Sequence, residues 1–414
     1  MQTKPTARPL RADARLPRSL RRALLSLLAL IVVLLAAWWF YSRPVAPEAF
    51  YVPPDDVPAR PGALLRSEPF TRGVPARAQA WRILYTTTRD AGAPAIASAI
   101  VVVPAAPAAT PRPVVAWTHG TTGVMPGCAP SLLDAPFANV PAFEPALAAG
   151  WAIVATDYVG QGTPGPHPYL IGEGQARSAL DAVRAARAVE SAALGAVTVV
   201  WGHSQGGNAA LWTAIRAPGY APDAGVVAVA AVAPASDLRA MIRRIADAPV
   251  GRIMTSYVLQ AYDAHYDDVD FDAYTRPEAR WLARDMAGRC LAGRQSLLSV
   301  AEAMAAGGSI FARDPAGGAL GERLAQNTPD ARIGVPVLLA QGDADDLVLP
   351  DVQRAFVARR CAAGQAIDYR RYPGRDHLSV VAPDSPYTAD LMAWTRDRFA
   401  GKPAPATCSG LDAR

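Results

Sequence analysis

The sequence predicts an α/β fold with a mainly parallel sheet and an inserted helical cap. From about residue 80 onwards, apolar runs alternate with helical patterns, several runs are continuously apolar, and one long interval lacks strands. Continuous runs of Val, Ala and Ile are typical of strands buried on both faces of a parallel sheet. Regular alternation of strands and helices places such a sheet between helical layers.

The predicted strands are short and apolar, and helical patterns separate several of them. The strands are Ala97–Val103, Val114–Trp117, Ala152–Asp157, Val197–Trp201, Val226–Val232 and Val335–Gln341. The helices are Glu173–Ser191, Gly207–Ala217, Asp351–Ala363 and Pro386–Phe399. From about Asp237 to Asn327 the sequence has helical patterns without a convincing strand, so we interpret this interval as the cap.

Four segments follow from this pattern. A basic leader and an apolar helix occupy residues 1–44, and a Pro-rich linker or N-terminal extension occupies residues 45–79. The core comprises residues 80–236 and 328–414, and the cap comprises residues 237–327. With 414 residues, of which 51% are apolar, the chain is large enough to bury such a core.

Positive charge is concentrated at the N-terminus. Residues 1–22 hold seven basic residues and one acidic residue, and the rest of the chain has 34 basic and 35 acidic residues. The net charge of +5 therefore belongs to the leader. The near-neutral remainder lacks the broad basic face that nucleic-acid binding requires, so we predict no nucleic-acid partner.

The uncharged stretch Ala23–Tyr41 follows the leader and is long enough to cross a bilayer as a helix. Aromatic residues from Trp38 onwards are typical of a membrane interface. Because basic residues stay in the cytoplasm, we expect a single-pass protein of the cytoplasmic membrane whose body lies outside, in the periplasm or the extracellular space. A cleaved signal peptide, which would release the body, is the alternative. The bulky aromatics after Ala37 disfavour a cleavage site there.

Cysteine and aspartate spacing bear on disulfides and metals. The four cysteines are Cys128, Cys290, Cys361 and Cys408. An even number of cysteines suits an oxidising compartment, and four cysteines permit three disulfide pairings. No two of them have the CxxC spacing typical of a zinc site. Asp268, Asp270 and Asp272 follow the start of an EF-hand pattern, but alanines occupy its glycine and glutamate positions. We therefore predict a solvated loop there and no metal.

The motif GHSQG, residues 202–206, lies between a predicted strand and a predicted helix. A GxSxG pattern in this setting is typical of the sharp turn that lifts a nucleophilic serine above the sheet of an α/β-hydrolase. Glycines flank Ser204 because the backbone of such a turn is strained and neighbouring chains pass closely. Ser204 is therefore the predicted nucleophile, with an ordinary glycine-rich turn as the alternative.

A nucleophilic serine needs a histidine as its base and a carboxylate to orient that histidine. In this fold the order along the chain is serine, acid, histidine. Of five histidines, only His377 follows the serine and lies outside the cap. Asp345 is the predicted acid because it lies in a GxxDxxV turn after a strand, and Asp343 and Asp346 are the adjacent alternatives.

Two backbone N–H groups are expected to bind the oxyanion that develops during acyl transfer. One belongs to Gln205, which directly follows the serine. The other is predicted at Thr121 in the HGTTG segment after the strand Val114–Trp117. Thr122 is the alternative if the loop is shifted by one residue, and an ordinary turn is the remaining interpretation.

Several segments together resemble the secretory lipase (lipase A-like) family of α/β-hydrolases. The resemblance covers about residues 50–400 and includes FYVPPDDVPARPGALLRSEPF, WTHGTTG, GCAPS, DYVGQGTPGPHPYLIGEGQARSALDAVRAAR, GHSQGG, QGDADDLV and GRDH. It implies a helical cap over the site, carboxylester hydrolysis without a cofactor, and a triad of Ser204, Asp345 and His377. It also implies the disulfides Cys128–Cys290 and Cys361–Cys408. The N-terminal helix departs from the family pattern.

These observations predict a serine esterase or lipase that acts on a lipid or a small-molecule ester and contacts the membrane through its N-terminal helix. Two alternatives remain open. The same triad serves peptidases and acyltransferases, because a fold does not determine the acyl donor. A membrane-tethered binding protein without catalytic activity is the alternative of a different class.

Overall fold

The computed structural model describes residues 17–89, 92–292 and 294–408. Contacts divide the chain between Arg43 and Pro44 into two units. In the first unit, helix α1, Arg18–Tyr41, has 24 residues and no buried side chain. Its mean hydropathy of 2.6 over an 18-residue window is high enough for a membrane span, although signal sequences near an N-terminus meet the same criterion.

The second unit is built on a mostly parallel sheet of nine strands within the described residues. The strands are β1 Leu64–Pro69, β2 Ala78–Thr88, β3 Pro94–Pro104, β4 Arg112–Thr118, β5 Ala152–Thr156, β6 Leu194–His203, β7 Val226–Val232, β8 Val337–Gly342 and β9 Asp368–Tyr372. Their order across the sheet is β1-β2-β3-β5-β4-β6-β7-β8-β9. Neighbours from β1 to β5 in this order are antiparallel, and those from β5 to β9 are parallel.

Helices cover both faces of the sheet. They are α2 Phe143–Ala148, α3 Gly172–Ala186, α4 Gln205–Tyr220, α5 Leu238–Ile245, α6 Pro249–Asp263, α7 Phe271–Tyr274, α8 Arg280–Ala287, α9 Arg294–Ala305, α10 Gly318–Gln326, α11 Pro350–Ala362 and α12 Pro386–Phe399. Helices α5 to α10 lie between β7 and β8, within the interval predicted as the cap. The predicted fold class is therefore confirmed.

Strand β6 shows why the central strands read as continuous apolar runs. Val199 and Trp201 belong to the core on one face of the sheet, and Val200 belongs to the core on the other. All three side chains are fully buried. A strand between two helical layers has no solvent-facing side, so its sequence does not alternate.

All six predicted strands are observed, as β3 to β8, with shifted end points. Strands β1, β2 and β9 were not predicted. Strand β1 and the start of β2 lie within residues 45–79, the segment predicted as a Pro-rich linker or N-terminal extension, so part of this segment forms one edge of the sheet. The sequences LLRSEP and DYRRY of the two edge strands carry charges and partly exposed residues, and for this reason they lack an apolar run.

Both disulfides implied by the family resemblance are present. Cys128–Cys290 joins the loop after β4 to the cap, and Cys361–Cys408 joins α11 to the C-terminal segment. Among the described residues no cysteine is free.

The order of the strands determines where a site can form. Strand β4 lies between β5 and β6 in the sheet. The connection from β4 to β5 and the connection from β5 to β6 therefore run in opposite directions across the sheet. In open α/β sheets, ligands bind beyond the carboxyl ends of the strands at such a switch point. Here β4 ends at Thr118 and β6 ends at His203, which immediately precedes Ser204.

Candidate active site

Ser204 forms the turn between β6 and α4. Its backbone angles are φ 58° and ψ −121°, a conformation that costs a residue with a side chain about 1–3 kcal/mol. Three backbone hydrogen bonds hold it in place: its N–H donates to Val232 at 3.0 Å, and its carbonyl accepts from Asn208 at 3.1 Å and Ala235 at 3.1 Å. The end of β7 therefore fixes the strained turn, and the Ser204 side chain stays partly exposed.

Close backbone packing explains the glycines around Ser204. A Cβ atom at Gly202 would lie 2.1 Å from the Gly206 carbonyl oxygen, and one at Gly206 would lie 1.9 Å from that of Thr118. A Cβ atom at Gly120 would lie 3.7 Å from the Cβ of Ser204. The loop after β4 therefore passes directly beside the predicted nucleophile.

The predicted acid and base are in contact. His377 Nδ1 lies 2.8 Å from Asp345 Oδ2, and the Asp345 side chain is fully buried. The other carboxylate oxygen accepts the backbone N–H groups of Leu347 at 2.9 Å and Val348 at 2.8 Å. Gln341 Nε2 also donates to Oδ2, at 3.2 Å. These donors hold Asp345 in place to accept the Nδ1 proton of His377, which leaves Nε2 as the basic nitrogen.

The structure separates Asp345 from its two neighbours. Asp343 pairs with Arg371 Nε at 2.8 Å, and Asp346 is exposed. Neither contacts His377, so the residue chosen from the GxxDxxV turn is the one that meets the imidazole.

Ser204 and His377 lie on adjacent segments. His203 Nε2 donates to the carbonyl oxygen of His377 at 2.9 Å, and the two imidazole rings lie 4.7 Å apart. Ser204 Oγ itself makes no direct hydrogen bond to His377 in the part of the chain that the structure describes. Such contacts are commonly loose without substrate and tighten when it binds.

The two predicted oxyanion donors flank the nucleophile from different elements. Gln205 is the first residue of α4, and Thr121 follows Gly120 in the loop after β4. Neither backbone N–H donates to any other residue in the described ranges. Thr122, the alternative, is one residue further along, where its carbonyl and hydroxyl accept hydrogen bonds from Leu291 and Gln161.

Three further histidines near the site are buried and neutral. Burial lowers the pKa of His119 to about 4 and lowers those of His167 and His203 to about 3. His167 Nε2 lies 3.3 Å from Gln205 Nε2, so its neutral ring accepts a hydrogen bond from this amide. Because these rings stay neutral, they place no positive charge beside the His377–Asp345 pair near pH 7.

The sequence excluded His203 as the base because it precedes the serine, and it did not point to Gln161 or Gln341. In the structure, His203 supports the His377 segment, Gln341 supports Asp345, and Gln161 supports the loop after β4. The position of His203 immediately before the predicted nucleophile is the one sequence feature that could have identified it. The two glutamines carry no such signal, because only the folded chain brings them to their partners.

The aspartates of the EF-hand-like segment have other partners. Asp268 pairs with Arg323 at 3.0 Å, Asp272 pairs with Arg284 at 2.7 Å, and Asp270 accepts N–H groups at the start of α7. Within the described residues, no group of three or more His, Cys, Asp or Glu side chains is arranged to hold a metal ion.

Comparisons with known proteins bear on the family and the fold of this chain. A family model described as secretory lipase matches residues 138–407. A Mycobacterium tuberculosis protein named probable inactive lipase is 29% identical, over 87% of this chain and 84% of its own. Candida antarctica lipase A has a TM-score of 0.70 at 19% identity, covering 87% of both chains. A ligand-bound rice cell wall degrading esterase from Xanthomonas oryzae has a TM-score of 0.68 at 19% identity, covering 83% of this chain and all of that one.

Proposed function

Since the chain belongs to the secretory lipase family, we propose that it is a serine hydrolase that cleaves carboxylic esters, with Ser204, Asp345 and His377 as its triad. One observation carries the proposal. The fully buried carboxylate of Asp345 binds the imidazole of His377 at 2.8 Å, on a segment tied to the strained turn that bears Ser204. A buried carboxylate that orients a histidine beside a serine on a strained turn is the arrangement that activates a serine nucleophile.

The residues act in the order that the chemistry requires. His377 Nε2 removes the hydroxyl proton of Ser204 as Oγ attacks the ester carbonyl, and Asp345 stabilises the imidazolium that forms. The N–H groups of Gln205 and Thr121 stabilise the oxyanion of the tetrahedral intermediate. His377 then protonates the departing alcohol, which leaves an acyl group on Ser204. Water attacks this acyl-enzyme by the same steps and releases the carboxylic acid.

A serine-directed fluorophosphonate probe and p-nitrophenyl esters test the proposal. We expect the probe to label the parent chain and the Ser204→Ala variant to lose labelling and about 10⁴-fold or more in turnover. The Asp345→Asn variant should lose activity although Ser204 is unchanged, because the imidazole of His377 loses the carboxylate that orients it. Ester hydrolysis by Ser204→Ala at the parent rate would exclude Ser204 as the nucleophile.

The acyl donor and acceptor need their own comparison. We propose an ester of a lipid or of a small molecule as the substrate, and a chain-length series of p-nitrophenyl esters measures the acyl preference. Matched anilides test for peptidase activity, and added alcohols test for acyl transfer. Faster cleavage of anilides, or transfer that exceeds hydrolysis, would assign the same triad to the alternative reaction.

A non-catalytic binding role is the second candidate, because the relative from Mycobacterium tuberculosis is named probable inactive lipase. The present chain has a serine, an aspartate and a histidine at all three predicted positions. The same probe distinguishes the two functions. A folded parent chain that neither reacts with the fluorophosphonate nor hydrolyses any ester in the series would support binding without catalysis.

We also propose that α1 remains attached as a membrane anchor with the hydrolase domain outside the cytoplasm. Basic residues precede the helix, and both disulfides lie in the second unit. Disulfides persist in oxidising compartments, which supports this orientation. Cleavage after the helix would release the same domain as a secreted protein.

A further inference from the structure

The loop after β4 touches the cap through its backbone. We name residues 119–123 the oxyanion loop and residues 289–291, which follow α8, the cap segment. The N–H group of Leu291 donates a hydrogen bond to the carbonyl oxygen of Thr122 at 2.8 Å. This bond attaches the cap to the residue next to Thr121, the proposed oxyanion donor.

Gly123 shows how closely the two segments approach. A Cβ atom there would lie 3.0 Å from the carbonyl oxygen of Arg289, 3.0 Å from Cα of Cys290 and 2.6 Å from Sγ of Cys128. Its φ of 127° is also one that residues with side chains rarely adopt. The Cys128–Cys290 disulfide, buried at both ends, closes this contact covalently.

The cap segment is fixed on its other side as well. The guanidinium of Arg289 is almost fully buried, and it pairs with Glu302 at 2.6 Å and with Asp285. The hydroxyl of Tyr257 donates to the Arg289 carbonyl oxygen at 2.9 Å. Helices α6, α8 and α9 therefore hold the segment, so it cannot simply follow a movement of the oxyanion loop.

Gln161 holds the loop from the core side. Its Nε2 donates to the carbonyl oxygen of Gly123 at 2.8 Å and lies 2.9 Å from the hydroxyl of Thr122. The loop is thus held between the core and the cap. On the cap side, the disulfide at Cys128, which follows the loop in the sequence, adds a covalent link to the cap segment.

We propose that the cap segment, locked by Cys128–Cys290, positions the oxyanion loop for catalysis, so that the cap contributes to turnover. The inference rests on the proposed function, because it assigns Thr121 as an oxyanion donor. An N–H group stabilises the tetrahedral intermediate only when it lies about 2.7–3.1 Å from the oxyanion. Cys128, Cys290 and Leu291 are therefore positioning residues in this proposal.

The second disulfide supplies a matched control. The full chain is compared with Cys128→Ala/Cys290→Ala and with Cys361→Ala/Cys408→Ala. Each variant lacks one disulfide and should melt at a lower temperature. Kinetics of a short p-nitrophenyl ester are measured at a temperature where circular dichroism shows all three chains folded.

We expect the Cys128/Cys290 variant to lose about 10- to 100-fold in kcat with KM changed by less than about threefold, since a displacement near 1 Å costs this much. A trifluoromethyl ketone forms a tetrahedral adduct with the serine, and its inhibition constant should rise by a similar factor. The Cys361/Cys408 variant should keep the parent kcat and inhibition constant. A merely structural disulfide would lower the melting temperature without moving either quantity.

Gly123→Ala tests the contact with both disulfides intact, in case the cysteine variant does not fold. The added methyl group pushes the oxyanion loop away from Cys128 and Arg289, so kcat should again fall while KM is kept. Gly150→Ala is its control, because Gly150 also has a positive φ, of 85°, but a Cβ there meets nothing within 4 Å.

The outcomes separate this inference from the proposed function. An active parent whose Cys128/Cys290 and Gly123→Ala variants keep their kcat overturns the positioning role alone. Equal losses of kcat in the two disulfide variants, or a loss expressed only in KM, also overturn it. A parent that neither hydrolyses esters nor reacts with the fluorophosphonate overturns both proposals.

Discussion

At the scale of single residues, Asp157 is a carboxyl group that burial makes harder to ionise. It follows β5, is fully buried, and accepts hydrogen bonds from Ser98 Oγ at 2.6 Å and from Ser131 N and Oγ at 2.9 and 2.6 Å. The Tyr51 hydroxyl extends this chain, 2.7 Å from Ser131 Oγ. Burial raises the pKa of Asp157 from 3.8 to about 6, and the hydrogen bonds offset only part of that effect.

We expect Asp157→Asn to change how stability depends on pH. Between about pH 4 and pH 6 the folded parent keeps a proton that the unfolded chain has released, so its free energy of unfolding falls as pH rises through this window. The difference between a pKa of 3.8 and one of about 6 corresponds to at most about 3 kcal/mol in the free energy of unfolding. The Asp157→Asn variant has no carboxyl group at this position, so its free energy of unfolding lacks this pH-dependent contribution. Urea unfolding at pH 4, 5, 6 and 7 should show the parent losing stability relative to the variant up to about pH 6, and no further above it.

If the stability of Asp157→Asn runs parallel to that of the parent from pH 4 to pH 7, Asp157 does not hold a proton in the fold.

The sequence only partly predicted which aspartate of the turn after β8 contacts His377. The sequence placed Asp343, Asp345 and Asp346 in one turn, and the GxxDxxV spacing favoured the middle one. What distinguishes it is the pair of backbone N–H groups, from Leu347 and Val348, that converge on one carboxylate. Such convergence depends on the three-dimensional course of the turn, which residue types alone do not specify.

At the scale of elements, predictability followed continuous apolar sequence rather than burial alone, since β2 was not predicted although Ile83, Leu84 and Tyr85 are fully buried. Strands β3 to β8 have apolar residues on both faces and could be predicted from composition. Strand β9, DYRRY, forms one edge and gains its place by pairing with β8 and by the contact of Thr407 with Ile367. Because a partner strand supplies that stabilisation, the local sequence gave little sign of it.

Helix α4 allows a test of the close packing at the nucleophile turn. In Gly206→Ala the new Cβ would lie 1.9 Å from the Thr118 carbonyl oxygen and 2.6 Å from that of His119. Both contacts are with backbone, so the start of α4 and the end of β4 must separate locally, and we expect a loss of about 3 kcal/mol in the free energy of unfolding. Ester turnover should fall too, because the Thr118–Gly120 segment flanks Ser204.

Gly219, near the end of the same helix, is the matched control. A Cβ there meets nothing within 4 Å, so Gly219→Ala should leave turnover unchanged and raise stability by up to about 1 kcal/mol through helix propensity. Urea unfolding of the two variants beside the parent gives the comparison. Equal stability of Gly206→Ala and the parent would contradict the packing argument.

At the scale of the whole molecule, the candidate site is assembled from segments far apart in the chain. The sequence predicted which segments meet, because the order of serine, acid and histidine is shared by the fold. It did not predict that Leu291 of the cap bonds the oxyanion loop 169 positions earlier, at Thr122. A contact of this kind has no local pattern, since both partners use backbone groups that every residue has.

The proposed role of the N-terminal helix as a membrane anchor is tested at the scale of the whole molecule. The 24 residues of the helix extend about 36 Å, enough for the roughly 30 Å hydrocarbon core of a bilayer. We expect the full chain, with its N-terminus intact by sequencing, in a membrane fraction that alkaline carbonate does not extract. The double variant Leu30→Arg/Leu34→Arg should release the chain from the membrane or block its export, because each arginine costs about 2.5–3.5 kcal/mol at the helix centre. The control variant Leu30→Ala/Leu34→Ala should stay anchored. A soluble product whose sequence begins after Tyr41 would identify a cleaved signal instead.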